Sequence, residues 1–438
     1  MRKMALILGV AALAVLSVSC NQLKSRDQLN QGVQAFKNAQ YPEAVEHFKT
    51  AVELDPNFPT ARLYLATAYM QQYIPGADSP ENNQMATAAY DQFMKVLDQD
   101  PKSSVAIASV ASLYLNQKKW DDAQQWYEKL VAVDPSNADA FYSLGFVAWS
   151  KWYPPYGTAR AELGMRQEDP GPIKDKKVRD QLKSQYAPVI DGGLKALDKA
   201  LQINPDYDDA MAYENLLIRE RADLTDNKEE YAEQIKVANA WIDKALATKK
   251  RKAAGRRLEK AVAAELPALK LERAEFMVRI DTDTACASET GADDVAFLVR
   301  TNPGSEPGPL MKVASGGELA RFLLALKVAL ADRGSAATLV FDEIDTAVGG
   351  AVADAIGARL ARLAEHVQVL SVTHAPQVAA RAGAHMLVQK RPLRAGVVTE
   401  LTPLDTPRRR EEIARMLAGA TVTDEARAAA DRLIRGAA

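Results

Sequence analysis

The stretch Thr338-Leu339-Val340-Phe341-Asp342-Glu343-Ile344-Asp345 combines a structural pattern with a chemical one. Its first four residues are apolar or β-branched, which is typical of a buried strand in a parallel sheet. Two adjacent carboxylates, Asp342 and Glu343, follow where this strand must end. Because ligands of open α/β sheets bind beyond the carboxyl ends of the strands, the octet predicts a binding site at this edge. The alternative interpretation is a strand followed by a solvated acidic turn.

The segments on either side favour the binding site. Ser315-Gly316-Gly317-Glu318-Leu319 opens an apolar-periodic run that reaches Leu330, which predicts a helix whose N-terminal N–H groups favour an anion. Downstream, Val367 to Leu370 predicts a second strand, and Ser371-Val372-Thr373-His374 stands at its end. A lone His or a lone Ser-Gly-Gly is usually structural. The three elements in this order predict a nucleotide site of the strand-Asp-Glu (Walker B) type.

Residues from about Ala253 to the C-terminus resemble the C-terminal lobe of RecN, a family of bacterial DNA-repair ATPases related to the SMC and ABC families. Four pieces carry the resemblance: Lys312 to Arg321, Leu339 to Gly350, Ser371 to Gln377, and Arg409 to Leu417. One departure is Ala347, where the family usually has Gly. Glycine can adopt a positive φ and alanine rarely does, so the geometry of this loop is expected to differ.

The resemblance implies a role for each matching residue. Glu343 and His374 are the implied catalytic residues, with Glu343 polarising the attacking water and His374 contacting the γ-phosphate. Asp342 is the implied Mg²⁺ ligand. The implied nucleotide-binding residues, which face ATP held by an opposing head, are Ser315, Gly316, Gly317, Glu318 and Asp345, and Asp345 would also make the head–head contact. ATP and Mg²⁺ are the implied cofactors, and an opposing RecN-like head or N-terminal lobe and DNA are the implied partners.

A nucleotide site of this class also needs a Gly-rich loop with a lysine, GxxxxGK[ST], to surround the β- and γ-phosphates. That pattern occurs nowhere in the 438 residues. In the RecN family the loop belongs to an N-terminal lobe, and a coiled coil joins the two lobes. The sequence therefore predicts half of a nucleotide site, and a chain that is inactive as an ATPase on its own.

Bulk composition allows two or three globular domains, with 438 residues, 47% hydrophobic and 26% charged. The net charge of −2 gives no overall attraction to nucleic acid, so any DNA contact must come from local patches. The two cysteines, Cys20 and Cys286, indicate neither a disulfide framework nor a CxxC metal site.

The N-terminus has the pattern of an export signal. Arg2 and Lys3 precede an apolar run from Met4 to Leu16, and small residues lead to Cys20. The position of Cys20 resembles a lipoprotein signal, in which this cysteine is lipidated and anchors the chain to a membrane. Cleavage by the ordinary signal peptidase after Ser19 and an uncleaved anchor are the alternatives.

Internal repeats occupy the segment from about Lys24 to Leu246. Four pairs close amphipathic runs, and the second and third are 34 residues apart: Asp55-Pro56, Asp100-Pro101, Asp134-Pro135 and Asn204-Pro205. That is the period of tetratricopeptide (TPR) repeats, which this region resembles. Small or medium residues recur where paired helices must touch, with large ones between them: Gly32, Ala44, Ala51, Ala111, Ala123 and Leu130, then Phe48, Phe93 and Tyr127. The resemblance implies an all-α solenoid with a peptide or protein ligand.

Two insertions enlarge the repeats, one over about Gln72 to Asn83 and a longer one over Trp152 to Leu182 that is expected to form a loop. Four aromatic residues lie at the start of the longer insertion: Trp149, Trp152, Tyr153 and Tyr156. They are interpreted as core packing, with an aromatic binding patch as the alternative.

Strands and helices alternate in the last segment. Predicted strands are Phe276 to Ile280, Val295 to Arg300, Val367 to Leu370, and two edge strands, Met386 to Gln389 and Val397 to Leu401. Predicted helices are Ser315 to Leu330, Gly350 to Ala364, Arg408 to Leu417 and Asp424 to Arg435.

The predicted fold class is multi-domain, an all-α TPR solenoid followed by an α/β half-head lobe of ABC/SMC-type ATPases. The predicted domains are a signal peptide (1–20), a TPR domain (24–247), a helical junction (248–256) and the RecN-like lobe (257–438). The two halves predict different localisations. The N-terminal half indicates export and a membrane anchor, whereas the C-terminal half resembles a cytoplasmic repair enzyme. Two unrelated partial proteins joined near residues 247–256 are the hypothesis that accounts for this, and a natural fusion is the alternative.

Overall fold

The computed structural model describes residues 21–166, 169–282, 293–330, 336–342, 344–346, 348–393, 396–419 and 421–436. The predicted signal segment with Cys20 lies outside the described residues, as do Cys286, Glu343 and Ala347. The chain divides into two compact units, Met1–Thr248 and Lys249–Ala438.

The first unit, the repeat unit, is built from helices. Their bounds are α1 (21–37), α2 (Tyr41–Leu54), α3 (Pro59–Gln72), α4 (Pro80–Gln99), α5 (Ser104–Asn116), α6 (Trp120–Val133), α7 (Ala138–Glu162), α8 (Lys176–Ile203), α9 (Asp208–Ala222) and α10 (Lys228–Glu265). Only the part of α10 up to Thr248 belongs to this unit, and the rest belongs to the second unit. The helix α10 includes residues 248–256, the predicted helical junction. Among the described residues, none of the helices is long and apolar enough to cross a membrane.

The same turn ends α2, α4, α6 and α8. At Asp55, Asp100 and Asp134 the Oδ1 atom accepts a hydrogen bond from the backbone N–H two residues later, at 3.1–3.2 Å. Asn204 Oδ1 accepts the equivalent bond at 3.2 Å. A side chain that satisfies the backbone in this way, followed by Pro, stops the helix and redirects the chain. The turns stand at the four pairs from which the repeats were predicted.

Glycines and alanines allow the paired helices to approach closely, as the sequence predicts. A Cβ atom at Gly32 would lie 2.4 Å from the ring of Phe48. A Cβ atom at Gly145 would likewise lie 2.4 Å from Leu197. Phe48 and Leu197 are fully buried, so these glycines leave room for the large residues that fill the repeat core.

The prediction that the longer insertion forms a loop is wrong for most of its length. Helices α7 and α8 extend over it, which leaves only residues 163–175 between them. A buried guanidinium organises this short connection, because Arg160 bonds Asp223 at 2.7 Å and donates to the carbonyls of Arg166 and Asp169. The loop was predicted from the Pro and Gly content of the insertion. However, Pro154 and Pro155 lie inside α7 and do not end the helix.

The second unit, the α/β unit, alternates strands and helices. Its elements are a 3-10 turn (Pro267–Leu269), β1 (Glu275–Thr282), β2 (Asp293–Arg300), β3 (Gly308–Pro309), α11 (Leu310–Val313), α12 (Gly316–Ala329), β4 (Thr338–Asp342), α13 (Gly350–Ala364), β5 (Gln368–Val372), α14 (Pro376–Arg381), β6 (Met386–Leu393), β7 (Gly396–Pro403), α15 (Thr406–Ala418) and α16 (Asp424–Gly436). Each predicted strand and helix of this segment is present, with ends that differ by a few residues.

The strands form three small sheets: antiparallel β1-β2-β3, parallel β4-β5 and antiparallel β6-β7. The prediction of a strand buried on both faces is wrong for β4. Phe341 packs on the core of the α/β unit, whereas Val340 is 66% exposed. The paired strand β5 repeats this pattern, with Leu370 51% exposed and Val372 56% exposed. The two predicted edge strands pair with each other as β6-β7.

Candidate functional site

Asp342 and His374 lie at the same edge of the β4-β5 sheet. The parallel register places Asp342 opposite Val372, and His374 follows two residues later. Both side chains belong to exposed residues, as a site that receives a ligand from outside requires. This register places the ends of both strands, and with them Asp342 and His374, at one edge of the sheet. Glu343, the third predicted residue of this edge, lies outside the described residues.

The Ser-Gly-Gly-Glu signature forms the N-terminus of α12, as predicted. Ser315 caps the helix, and the Glu318 carboxylate accepts hydrogen bonds from its backbone N–H at 3.0 Å and its hydroxyl at 2.7 Å. These bonds, the backbone one first, lower the pKa of Glu318 below its ordinary value. Gly316 and Gly317 are exposed, so their backbone can be approached from solvent. The bonds between Ser315 and Glu318 thus hold the first turn of the helix, and the backbone N–H groups of this turn remain accessible to a ligand.

The loop after β4 lies beside this helix terminus. A Cβ atom at Gly317 would lie 4.0 Å from the carbonyl oxygen of Thr346, which directly follows Asp345. The structure therefore brings the signature and the loop after β4 together, two of the segments that the sequence singled out.

Asp345 is 1% exposed and bonds to the loop that carries His374. Its Oδ2 atom accepts a hydrogen bond from the backbone N–H of Ala375 at 3.0 Å and another from the hydroxyl of Thr373. Its Oδ1 atom is also buried and has no hydrogen-bond partner among the described residues. A buried carboxylate with such partners fixes the geometry of two loops relative to each other. The contact of Asp345 with an opposing head stays a prediction.

Thr373 and the N–H of Ala375 are the contributions that sequence reasoning missed. Both flank His374, and their hydrogen bonds to Asp345 hold the histidine loop against the end of β4. Thr373 and Ala375 stand next to His374 in the sequence, but only the histidine has a side chain with an evident chemical role. Pairing a backbone N–H with a carboxylate thirty residues away requires the three-dimensional structure.

The site fits a nucleotide and Mg²⁺ only in part. An exposed helix N-terminus and the exposed carboxylate of Asp342 suit phosphate and Mg²⁺, respectively. However, among the described residues there is no cluster of three or more His, Cys, Asp or Glu side chains that could hold a metal ion. The sequence also contains no GxxxxGK[ST] loop to surround the phosphates.

A polar cleft of about 550 Å³ opens on another side of the signature helix. Its wall includes Lys270, Arg273, Asn302 and Glu318. Of the predicted nucleotide-site residues, Glu318 lines this cleft, whereas Asp342 and His374 do not.

The aromatic residues at the start of the longer insertion divide into two groups. Trp152 is fully buried and Tyr156 nearly so, which agrees with core packing. Trp149 and Tyr153 are half-buried and stack with their ring centroids 4.7 Å apart.

Comparison with known proteins confirms both resemblances. A family model described as TPR repeat matches residues 34–72 and 111–151. The C-terminal half matches DNA repair protein RecN. Identity to that protein of Rickettsia bellii (strain RML369-C) is 42% over 185 residues, which covers 42% of this chain and 34% of the relative. Identity to that of Xylella fastidiosa (strain 9a5c) is 49% over 145 residues, covering 33% of this chain and 26% of the relative. The matched part thus spans only 26–34% of the length of these curated relatives.

Solved structures with related helices have low overall similarity. A crystal structure of MamA protein gives a TM-score of 0.35 at 17% identity, covering 53% of this chain and 94% of that chain. A structure from work on ATP-driven dimerization and DNA-stimulated activation of SMC ATPases gives a TM-score of 0.28 at 14% identity. The match covers 40% of this chain and 99% of that chain. The fold class, an all-α TPR unit followed by an α/β ATPase-type lobe, agrees with the elements described above and with the RecN and TPR matches.

Proposed function

We propose that residues 257–438 act as the signature-bearing lobe of a RecN-like DNA-repair ATPase, which completes a nucleotide site only together with a second lobe. The observation that carries this proposal is the common edge formed by Asp342, His374 and the loop of Asp345, next to the exposed first turn of α12. The sequence similarity to RecN supports it.

The uncovered face of the β4-β5 sheet supports the need for a second lobe. Val340, Leu370 and Val372 are each more than half exposed and lie on neighbouring strands. Apolar side chains grouped on one sheet face generally mark a surface that another element covers. In the RecN family the lobe that bears the phosphate-binding loop is N-terminal, and the sequence of this chain has no such loop.

In the assembled site the residues of this chain would approach ATP and Mg²⁺ held by the other lobe. Bound Mg²⁺ would neutralise charge on the phosphates. Asp342 would hold the metal through water, and the backbone N–H groups of Gly316 and Gly317 would face the γ-phosphate. Glu343 would orient the attacking water. Asp345 would act on the reaction indirectly, because its bonds to Thr373 and Ala375 hold the loop of His374 in place.

This proposal expects the full chain alone to hydrolyse no ATP. The test supplies a separately purified RecN N-terminal lobe that contains the phosphate-binding loop and measures phosphate release with Mg-ATP. We expect activity only in the mixture, and its loss with Glu343→Gln. Glu365→Gln, at the exposed end of α13, is the matched control and should retain activity. Hydrolysis by the chain without the added lobe, or full activity of Glu343→Gln, would contradict the proposal.

The domain boundaries predicted from the sequence are part of the same proposal. We infer a TPR domain at 24–247, a helical junction at 248–256 and the RecN-like lobe at 257–438, joined as two unrelated partial proteins. A natural fusion is the alternative. DNA as a partner of the lobe rests on the resemblance to RecN alone.

A second proposal concerns the repeat unit. We propose an exported, lipid-anchored TPR scaffold without catalysis, supported by the apolar run from Met4 to Leu16 that precedes Cys20 and by the TPR match. Its test compares metabolic labelling with a fatty-acid analogue in the wild type and in Cys20→Ser. Labelling that depends on Cys20 is expected, and equal labelling of the two chains would remove the lipid anchor.

A further inference from the structure

The part of α10 that belongs to the α/β unit carries its free positive charges on one side. Five exposed cations lie there, and we call them the basic stripe: Lys249, Lys250, Arg256, Arg257 and Lys260. With 3.6 residues per turn, they fall within about a third of the helix circumference and extend over about 16 Å of its length. The basic stripe is therefore one continuous face of the helix.

The opposite side of this helical segment packs on the core of the α/β unit. Gly255 faces β1, because a Cβ atom there would lie 3.6 Å from Ile280 and 3.7 Å from Val278. One to two turns further along, Val262 is fully buried and Leu258 packs on the same core. This packing fixes which side of the helix faces outward, and the basic stripe lies on that side.

The acidic residues of this segment already have partners and do not neutralise the basic stripe. Residues 249–265 include only two of them, Glu259 and Glu265. Glu259 Oε1 accepts a hydrogen bond from the backbone N–H of Val278 at 2.8 Å. Glu265 pairs with Arg359 at 3.0 Å and also with Arg362, both on α13.

The cations of the basic stripe differ from their neighbours on the helix. Arg251 and Lys252 are half-buried, and Arg251 pairs with Asp293 at 3.4 Å. By contrast, none of the five residues of the basic stripe forms an ion pair with a residue that the structure describes. Within the described chain, five exposed positive charges are thus left without a compensating carboxylate, which favours an anionic partner.

The side chains around the basic stripe indicate which class of anionic partner fits. Residues 249–265 contain no aromatic side chain, and their only large apolar residues, Leu258 and Val262, face the core. A helix that binds a membrane surface inserts large apolar side chains, and a surface for single-stranded nucleic acid stacks bases on aromatic rings. Cations without either of these suit the phosphates of a duplex, whose contacts carry no sequence information.

We propose that the basic stripe binds the phosphate backbone of double-stranded DNA, independently of base sequence. The inference rests on the proposed function for the choice of DNA, because that function takes DNA as a partner of the lobe without giving it a surface. Duplex DNA carries one charge per about 1.7 Å, so a straight row of about 16 Å can meet several phosphates at once.

The test is fluorescence anisotropy of a labelled DNA duplex titrated with the full chain in the absence of nucleotide. We expect two duplexes of unrelated sequence to bind equally well. Five phosphate contacts predict a slope of about −4.5 for the logarithm of the association constant against that of the salt concentration. The affinity should therefore fall about 500-fold between about 50 and 200 mM salt.

The variant Lys249→Gln/Arg256→Gln/Lys260→Gln removes three of the five charges and keeps good helix formers at these positions. Its slope should fall to about −1.8, because two contacts remain. The matched control is Lys183→Gln/Lys195→Gln/Lys199→Gln, which removes the same charge from exposed positions on α8. It should bind DNA like the wild type, and far-UV circular dichroism checks that both variants are folded.

Three results would overturn the proposal. They are no binding of the duplex by the wild type at about 50 mM salt, an equal change of slope in both triple variants, and tighter binding of single-stranded DNA or of phosphatidylglycerol vesicles than of the duplex. The assay contains no ATP and no second lobe, whereas the phosphate-release test of the proposed function needs no DNA. Failure of the one can therefore be distinguished from failure of the other.

Discussion

The backbone N–H of Ala375 donates a 3.0 Å hydrogen bond to the carboxylate of Asp345, thirty residues earlier in the chain. This bond joins the loop after β4 to the loop after β5, and both groups are buried. The two loops carry residues that the RecN resemblance assigns to a nucleotide. Their relative position therefore depends on a side chain that is shielded from solvent.

Asp345→Ala should loosen the histidine loop. The substitution leaves a buried N–H group without its acceptor, which costs about 1–3 kcal/mol. Hydrogen exchange followed by mass spectrometry should show faster exchange in peptides that cover residues 368–381. Asp354→Ala is the control, because it removes only a carboxylate that is 49% exposed from a pair with Arg381. Equal protection of the loop in Asp345→Ala and the wild type would contradict this role.

Gly145→Ala should destabilise the repeat unit. The added Cβ atom would lie 2.4 Å from Leu197, a fully buried residue, and overpacking of this kind costs about 1–3 kcal/mol. Gly157→Ala lies in the same helix with no atom within 4 Å of its new Cβ, and helix propensity predicts a gain of up to about 1 kcal/mol. Urea denaturation followed by tryptophan fluorescence measures both. Similar midpoints for the two variants would rule out the close contact.

The repeat unit should lose stability as the pH rises. Burial raises the pKa of Glu214 from 4.5 to about 8, with Asp198 adding to the effect and Arg221 opposing it. Between these values the folded state holds a proton that the unfolded state has released. The free energy of unfolding therefore falls as the pH rises through this range.

Urea midpoints measured at intervals from about pH 5 to pH 9 test this dependence. We expect the free energy of unfolding of the wild type to fall by several kcal/mol, because a pKa difference of one between the folded and unfolded states corresponds to about 1.4 kcal/mol. Part of this fall comes from Glu220, whose pKa is raised to about 7 mainly by burial. Glu214→Gln should reduce the fall, whereas Glu53→Gln, at an exposed position on α2, should not. An unchanged pH profile in Glu214→Gln would show that this carboxyl does not retain its proton.

The two units should unfold separately. All five tryptophans lie between residues 120 and 241, so tryptophan fluorescence follows the repeat unit alone, whereas far-UV circular dichroism follows both units. We expect two dichroism transitions in urea, only one of which changes the fluorescence. Trypsin should cut first in the basic cluster from Lys249 to Arg257. A single transition detected equally by both probes would indicate one cooperative protein.

Local patterns in the sequence predicted most of the secondary structure. The four Asx-Pro pairs became identical turns, because a side-chain oxygen that bonds its own backbone acts within three residues. The strand and helix order around Asp342 also followed from apolar periodicity. Such patterns gave the predicted edge for Asp342 and His374.

These local patterns could not predict packing between segments that are far apart in the sequence. The exposed face of β4 could not be predicted, because an apolar run looks the same whether one or both faces are covered. The helical extension of α7 through Pro154 and Pro155 contradicted local propensity, since α7 and α8 pack along this extension and Arg160 lies buried against Asp223. Likewise, the acceptor role of Asp345 depends on a partner that only the tertiary structure supplies.

Isothermal titration calorimetry of the full chain with Mg-ATP tests the central claim most directly. We propose that this chain supplies only one face of a nucleotide site, because its sequence contains no GxxxxGK[ST] loop to bind the β- and γ-phosphates. We therefore predict no measurable heat of binding at ATP concentrations up to about 1 mM. A dissociation constant of about 1 mM corresponds to a binding free energy of only about −4 kcal/mol. Saturable binding with a micromolar dissociation constant would show that the chain binds the nucleotide by itself and would contradict the account.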